Sequence, residues 1–269
     1  MASTIDVRLS RATRQAEQKA YTIGTLVRSE AQYREMQDTF LSRGFGGDDC
    51  EYLIVNNCRE DQWDAFTGLS EILNQAAGRH VILCHEDIRL LQDGRAALDI
   101  RLAELDALDP AWAVAGNAGG RADLAEVVRI SDPYGENQST NGPFPSRVMS
   151  VDENFMVVRQ SSRVGFSRDM AGFHLYGADL CLNAEVRGYS SYVIDFHLRH
   201  LSAGRRDEAF WAGAEAFKAK WRRAFRARTM RTTCAILPMD GATESALAIQ
   251  PGGPGCLVSE VADAGRPAN

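Results

Sequence analysis

GRHVILCHEDIRLL, residues 78–91, decides how the chain is read. Val81-Ile82-Leu83-Cys84 is an unbroken apolar run, as expected of a strand buried on both faces. It stops at His85, Glu86 and Asp87, three groups that can bind a metal or move a proton, before Ile88 resumes the apolar pattern.

Two similar runs precede it, YTIGTLV ending at Val27 and EYLIVNN around Val55, spaced about 28 residues apart. Helical patterns fill the gaps. In the second gap Trp63, Phe66, Leu69, Ile72, Leu73 and Ala76 recur three or four apart and share one helical face, with Trp63 read as a core residue. Strand, helix, strand, helix, strand at this spacing predicts right-handed crossovers in a mostly parallel sheet flanked by helices. Ligands of such sheets bind beyond the carboxyl ends of the strands. Those ends carry Thr25 and Arg28, then Asn56 and Asn57, then His85, Glu86 and Asp87.

Downstream, residues 95–108 read as a helix and AWAVAGNAGG as a strand running into a glycine turn. SDPYGENQSTNGPFPS (131–146) reads as a long loop of the kind that forms lids or binding surfaces. An amphipathic helix follows later, with Phe210, Trp211, Ala214, Phe217, Trp221 and Phe225 on one face and a basic far half of Lys218, Lys220, Arg222, Arg223, Arg226 and Arg228. That basic half, within 207–228, suits peripheral attachment to a membrane surface or simple solvation. Residues 1–20 read as an extension, 21–230 as a single domain and 231–269 as a tail that loses periodicity and is poorly ordered in part. No internal repeat or hinge-like linker is visible.

The totals narrow the function. The 269 residues are 45% hydrophobic, enough for a sizeable core. A net charge of -6 and a pI near 5.5 argue against nucleic acid, whose phosphates call for a basic face, and favour a small-molecule ligand. Six scattered cysteines without a C-x-x-C pair suggest reduced thiols in a cytoplasmic protein. The first twenty residues lack the apolar core of a secretory signal, and no stretch approaches the roughly 20 apolar residues of a membrane span.

Neither G-x-G-x-x-G nor a P-loop follows Val27, and H-E-x-x-H and G-x-S-x-G are both absent. What remains is a scattered set: Asp87 at a strand end, Asp179 opening a helix in LYGADLCL, and His197 and His200 after VIDF. A hard cation such as Mg²⁺ or Mn²⁺ takes carboxylate oxygens, water and ligand phosphates, with an occasional imidazole.

VILCHEDIRLL, AWAVAGNAGG, GFHLYGADLCLNAEVRGY and RHLSAG, in this order, resemble the glycosyltransferase 2-like proteins with a GT-A fold, in the bacterial subgroup whose acidic motif begins with His. The resemblance runs from about Tyr21 to Trp221. It implies a GT-A-like, Rossmann-like α/β domain that moves a sugar from a nucleotide-diphosphate donor to a hydroxyl of a glycan or lipid-linked acceptor, in cell-surface polysaccharide synthesis and with inversion. Such an enzyme would work in the cytoplasm or at the inner face of the membrane. The family's acidic motif is usually Asp-x-Asp; here His85 stands in the first acid's place, so Asp87, alone or with His200, would hold the Mg²⁺ or Mn²⁺.

By the same resemblance Asp179 is the general base, and Thr25, Asn56, Asn57, His85, Glu86, Asp87 and Asp152 line the donor. VDENF (151–155) forms a strand on the acceptor side, and His174 and Tyr176 belong to the acceptor pocket. Asp179 as a helix N-cap is the structural alternative. A metal-dependent sugar-nucleotide hydrolase and a degenerate GT-A domain that binds a glycan or protein are the functional ones.

Overall fold

A computed structural model describes residues 18–204, 206–224, 229–238 and 247–248. The first three strands are β1 (Lys19–Val27), β2 (Cys50–Asn56) and β3 (Gly78–Cys84), joined by α1 (Glu30–Ser42) and α2 (Ala65–Gln75). β1 pairs in parallel with both β2 and β3, so the crossover pattern expected from the three apolar runs is what forms. Ser29 and Asp64 cap the two helices, Ser29 accepting from Gln32 N and Asp64 from Phe66 N and Thr67 N. From α2, Phe66, Leu69, Ile72 and Leu73 are buried against the sheet. Trp63 lies ahead of the helix and is 47% exposed, so it is not a core residue; the periodicity was right and its register one turn too generous.

Next come β4 (Ile88–Leu90), α3 (Arg95–Leu108), β5 (Trp112–Gly116), β6 (Ala118–Gly120), β7 (Glu126–Asp132), β8 (Gly135–Thr140), β9 (Ser146–Val148), β10 (Ser150–Val151) and β11 (Phe155–Arg159). The chain continues with α4 (Tyr176–Val186), β12 (Ser190–Val193), β13 (Leu198–His200), α5 (Glu208–Trp221), β14 (Thr229–Arg231), β15 (Ala235–Pro238) and β16 (Leu247–Ala248). The main sheet has the order β2-β1-β3-β11-β5-β12-β9. β11 runs antiparallel between β3 and β5, and β9 antiparallel on β12, which leaves five of the seven strands pointing the same way. A second sheet, β10-β6-β7-β13-β4 with β8 on β7, stands beyond the carboxyl ends of the first. This mixed α/β single domain places β4 and β13 side by side, so Ile88 pairs with His200.

Three expected segments turn out differently. The proposed loop at 131–146 is largely the β7–β8 hairpin: Asp132 accepts from the N–H groups of Tyr134 and Gly135 and so builds the turn that its polar sequence suggested was a lid. Residues 152–154 of VDENF form a turn between β10 and β11 rather than a strand. The region read as tail supplies strands at 235–238 and 247–248, the first paired antiparallel with both β14 and the second. Residues 1–17, 205, 225–228, 239–246 and 249–269 lie outside the described residues, and with them Phe225, Arg226, Arg228 and most of the expected extension and tail.

In α5, Phe210, Ala214, Phe217 and Trp221 are buried as the pattern required. Its lysines do not form a free basic face: Lys218 pairs with Glu215 at 2.9 Å, and Lys220 pairs with Asp169. Among the described residues no helix is long and apolar enough to cross a membrane, and the five cysteines, Cys50, Cys58, Cys84, Cys181 and Cys234, are free thiols.

Candidate functional site

β3 ends at Cys84, and the next three residues cross from the main sheet to β4 of the second. β13, antiparallel to β4, returns His200 to the same corner across 115 positions of sequence from His85. His85 Nδ1 and His200 Nε2 are 3.5 Å apart, His200 Nε2 and Asp87 Oδ1 3.3 Å, and His85 Nδ1 and Asp87 Oδ1 3.8 Å. Donors sharing one cation on bonds of about 2.1 Å stand roughly 3 to 3.5 Å apart, so the three atoms already have nearly the separation a divalent ion would impose. Two imidazoles and a carboxylate suit Mn²⁺, and a nucleoside diphosphate would complete the oxygen-rich shell. Asp87 and His200 are 18% and 11% exposed at the side chain, and His85 is 38% exposed, so the group has one open side.

The electrostatics fit a site that holds charge. Burial pushes the Asp87 carboxyl up, but the hydrogen bond and charge of His200 outweigh it and hold the acid at about 2. Burial also opposes a charge on His200, and Asp87 reverses that and raises its pKa. His85 is pulled down by burial and by His200, which keeps its Nδ1 lone pair available as a ligand. Its other nitrogen, Nε2, is 2.8 Å from the Tyr176 hydroxyl. An imidazole fixed through its second nitrogen is the usual way a protein orients a metal-binding histidine. Tyr176, expected at the acceptor pocket, is 3% exposed, and its hydroxyl orients His85.

The other expected residues separate into near and far. Asp152 lies close enough for the His200 charge to stabilise its anion, which together with hydrogen bonds from Thr233 and Asn154 overcomes the effect of burial and lowers its pKa. Asn56 stays exposed at the end of β2, accepting from Cys58 N. His174 is half-buried, edge-on to Phe210 and 3.8 Å from Asp207.

Four assignments need correction. Thr25 is fully buried, with its hydroxyl 3.6 Å from Cys84 Sγ. Asn57 is 1% exposed and its amide clamps both the N–H and the carbonyl of Trp63. The Glu86 carboxylate accepts the N–H groups of Arg28 and Ser29, so it fixes the β1–α1 turn instead of facing a donor. Asp179, expected as the base, is 0% exposed. Its oxygens accept from Ser167 N, Ser167 Oγ, Asn183 Nδ2 and Trp221 Nε1, leaving no lone pair free to face an acceptor hydroxyl. It is not the N-cap either, since that position is Leu175.

Glu153, named earlier only as part of VDENF, is the carboxyl that does reach this corner. With His85, Tyr176 and Met156 it lines a cavity of about 20 Å³, room for one water molecule. Burial, with the Asp152 charge beside it, pushes its pKa up to about 8, although Gly177 N at the start of α4 donates to it at 3.3 Å. Ser202 is the other residue that sequence reading passed over, although it sits inside the quoted RHLSAG; its hydroxyl is 3.0 Å from His200 Nε2. A larger groove, about 550 Å³, shares no lining residue with the cluster.

Comparison with known proteins bears on the fold. Over 227 residues, 82% of this chain and 91% of the relative, the sequence is 37% identical to ATP synthase subunits region ORF 6 of Fuscovulum blasticum. No family model matches. Among solved structures, GalNAc-T7 with UDP, GalNAc and Mn²⁺ superposes with a TM-score of 0.50 and 8% identity over 77% of this chain and 48% of that one. S. aureus TarS gives 0.50 and 12% over 75% of this chain and 39% of its own. At such identities the likeness concerns the fold, which is that of the GT-A glycosyltransferases; the chain spans about half the length of the GalNAc-T7 structure and less of TarS.

Proposed function

The chain belongs to the family of the Fuscovulum blasticum protein ATP synthase subunits region ORF 6, and we propose that it is a glycosyltransferase using a nucleotide-diphosphate sugar, with His85, Asp87 and His200 holding Mn²⁺ or Mg²⁺. The observation that carries this is the convergence of those three donors, 3.3 to 3.8 Å apart, at the carboxyl end of β3 in a GT-A fold. In the neighbouring GalNAc-T7 structure the fold was solved with UDP and Mn²⁺. Bound there, a divalent cation would offset the charge of a leaving diphosphate.

The chain's own residues do the rest. Tyr176 sets the ring of His85, Asp87 keeps its negative charge throughout the physiological range, and Asn56 stands exposed at the end of β2, where an amide can meet a nucleobase edge. Glu153 takes the acceptor's proton in this reading, in place of the sealed Asp179. His174 borders the acceptor side, and the acceptor is a glycan or a lipid-linked sugar.

The reading is tested by incubating the protein with Mn²⁺ and a panel of uridine, guanosine and thymidine diphosphate sugars, with and without a mixture of oligosaccharide and lipid-linked acceptors. Nucleoside diphosphate released in step with a glycosylated acceptor is the expected result. Free sugar released at the same rate without acceptor would make the protein a hydrolase.

A further inference from the structure

The loop that follows β13 brings a fourth oxygen to the His85–Asp87–His200 corner. Ser202 Oγ is 3.0 Å from His200 Nε2, the very nitrogen that faces Asp87 and His85. It therefore stands beside the one nitrogen that the other two donors also face. Ser202 is exposed, so it closes the cluster from the solvent side.

The position of this hydroxyl is built, not incidental. One residue before it, Leu201 N donates to the carbonyl of Asp87 at 3.0 Å, tying the loop to the backbone of a donor residue. One residue after it, the carbonyl of Ala203 accepts from the Tyr134 hydroxyl at 3.0 Å, reached from the tip of the β7–β8 hairpin. Gly204 then turns the chain away at a φ of +71°, a conformation that favours glycine. A serine pinned on both flanks loses little further freedom when it binds an ion, and serine hydroxyls are established ligands of hard cations at phosphate-binding sites.

We propose that Ser202 is a fourth protein donor of this metal centre, with Tyr134 acting through Ala203 as its positioning residue. The proposal rests on the metal site put forward above. Three protein donors leave an octahedral ion three places; a fourth leaves two, the number a diphosphate fills with one oxygen from each phosphate. The hairpin that looked like an open loop in sequence would then be the buttress of the metal shell.

The test is direct titration of Mn²⁺, followed by its electron paramagnetic resonance signal, into the wild type, Asp87→Ala, Ser202→Ala, Ser202→Cys and Tyr134→Phe, each checked for folding by circular dichroism. Wild type should bind one ion, Ser202→Ala should bind it roughly tenfold more weakly, and Tyr134→Phe should fall between them. Ser202→Cys should lose Mn²⁺ affinity but gain Cd²⁺, with a thiolate–Cd²⁺ absorption band in the difference spectrum against wild type, which corrects for the exposed Cys58. Ser202→Ala that binds Mn²⁺ as tightly as wild type, or more tightly, would overturn the proposal and leave the hydroxyl a hydrogen-bond partner of His200 alone. Folded wild type that binds no Mn²⁺ at all would remove the metal site itself, and this inference with it.

Discussion

Two aspartates in this molecule show how differently a fold can use one side chain. Asp179, on the first turn of α4, is fully buried, with four hydrogen bonds closing on its carboxylate. Asp87, at the crossing from β3 to β4, faces two histidines and keeps 18% of its side chain open. Burial raises the pKa of Asp179 in spite of its donors, while the His200 partnership overcomes burial and lowers that of Asp87. A carboxylate whose lone pairs are all filled holds structure together; one set among other ligand atoms, with room left for an ion, is equipped for chemistry.

The largest effect should come from breaking the filled side of this contrast. Asp179→Ala strips the Ser167 N–H and hydroxyl of their acceptor in a fully buried pocket and should cost about 4 kcal/mol of stability. Urea unfolding would measure it, and the milder Asp179→Asn, which keeps an acceptor, should fold and retain sugar transfer. An Asn variant that is folded, binds Mn²⁺ normally and transfers nothing would restore Asp179 as a reacting group.

A smaller effect is expected beside the open side. Tyr176→Phe frees the His85 ring without touching a donor and should weaken Mn²⁺ binding roughly tenfold, read by calorimetric titration. An unchanged affinity would mean that the ring is held by its packing alone.

The smallest concerns Glu153. Its folded pKa, about 8, lies above the ordinary 4.5, so the folded state holds the proton more tightly and loses stability as pH rises from about 4.5 through 8. Glu153→Gln should therefore raise stability by about 1 kcal/mol at pH 9, allowing for solvent screening, and by nothing at pH 4. Transfer by the wild type should climb through pH 8 as Glu153 ionises, and a flat profile there would exclude it as the base.

The same contrast explains what the sequence could and could not reveal. The apolar runs of β1, β2 and β3 are local patterns, and the HED cluster inherits its place from them. His200 was singled out through the family resemblance of RHLSAG; the pairing of β13 with β4 that brings it to Asp87 is a long-range feature no local pattern shows. The sealing of Asp179 was not legible, because it depends on Trp221, 42 residues away, and on Ser167 in a segment without periodicity. Glu86 looked identical to its neighbours until the fold brought two amides of the β1–α1 turn onto it. The β8 half of the hairpin was hidden by its own composition: GENQST is polar throughout and offered neither alternation nor an apolar run.

The most direct test of the central claim is thermal unfolding of the wild type and of Asp87→Ala across a panel of nucleoside diphosphates and nucleotide sugars, with and without Mn²⁺. A ligand at about 100 times its dissociation constant should add roughly 2.7 kcal/mol of stability. The account predicts stabilisation of the wild type by one nucleotide class only when Mn²⁺ is present, and none in Asp87→Ala. A nucleotide that stabilises both proteins equally without metal, or no nucleotide stabilising a folded wild type, would contradict it.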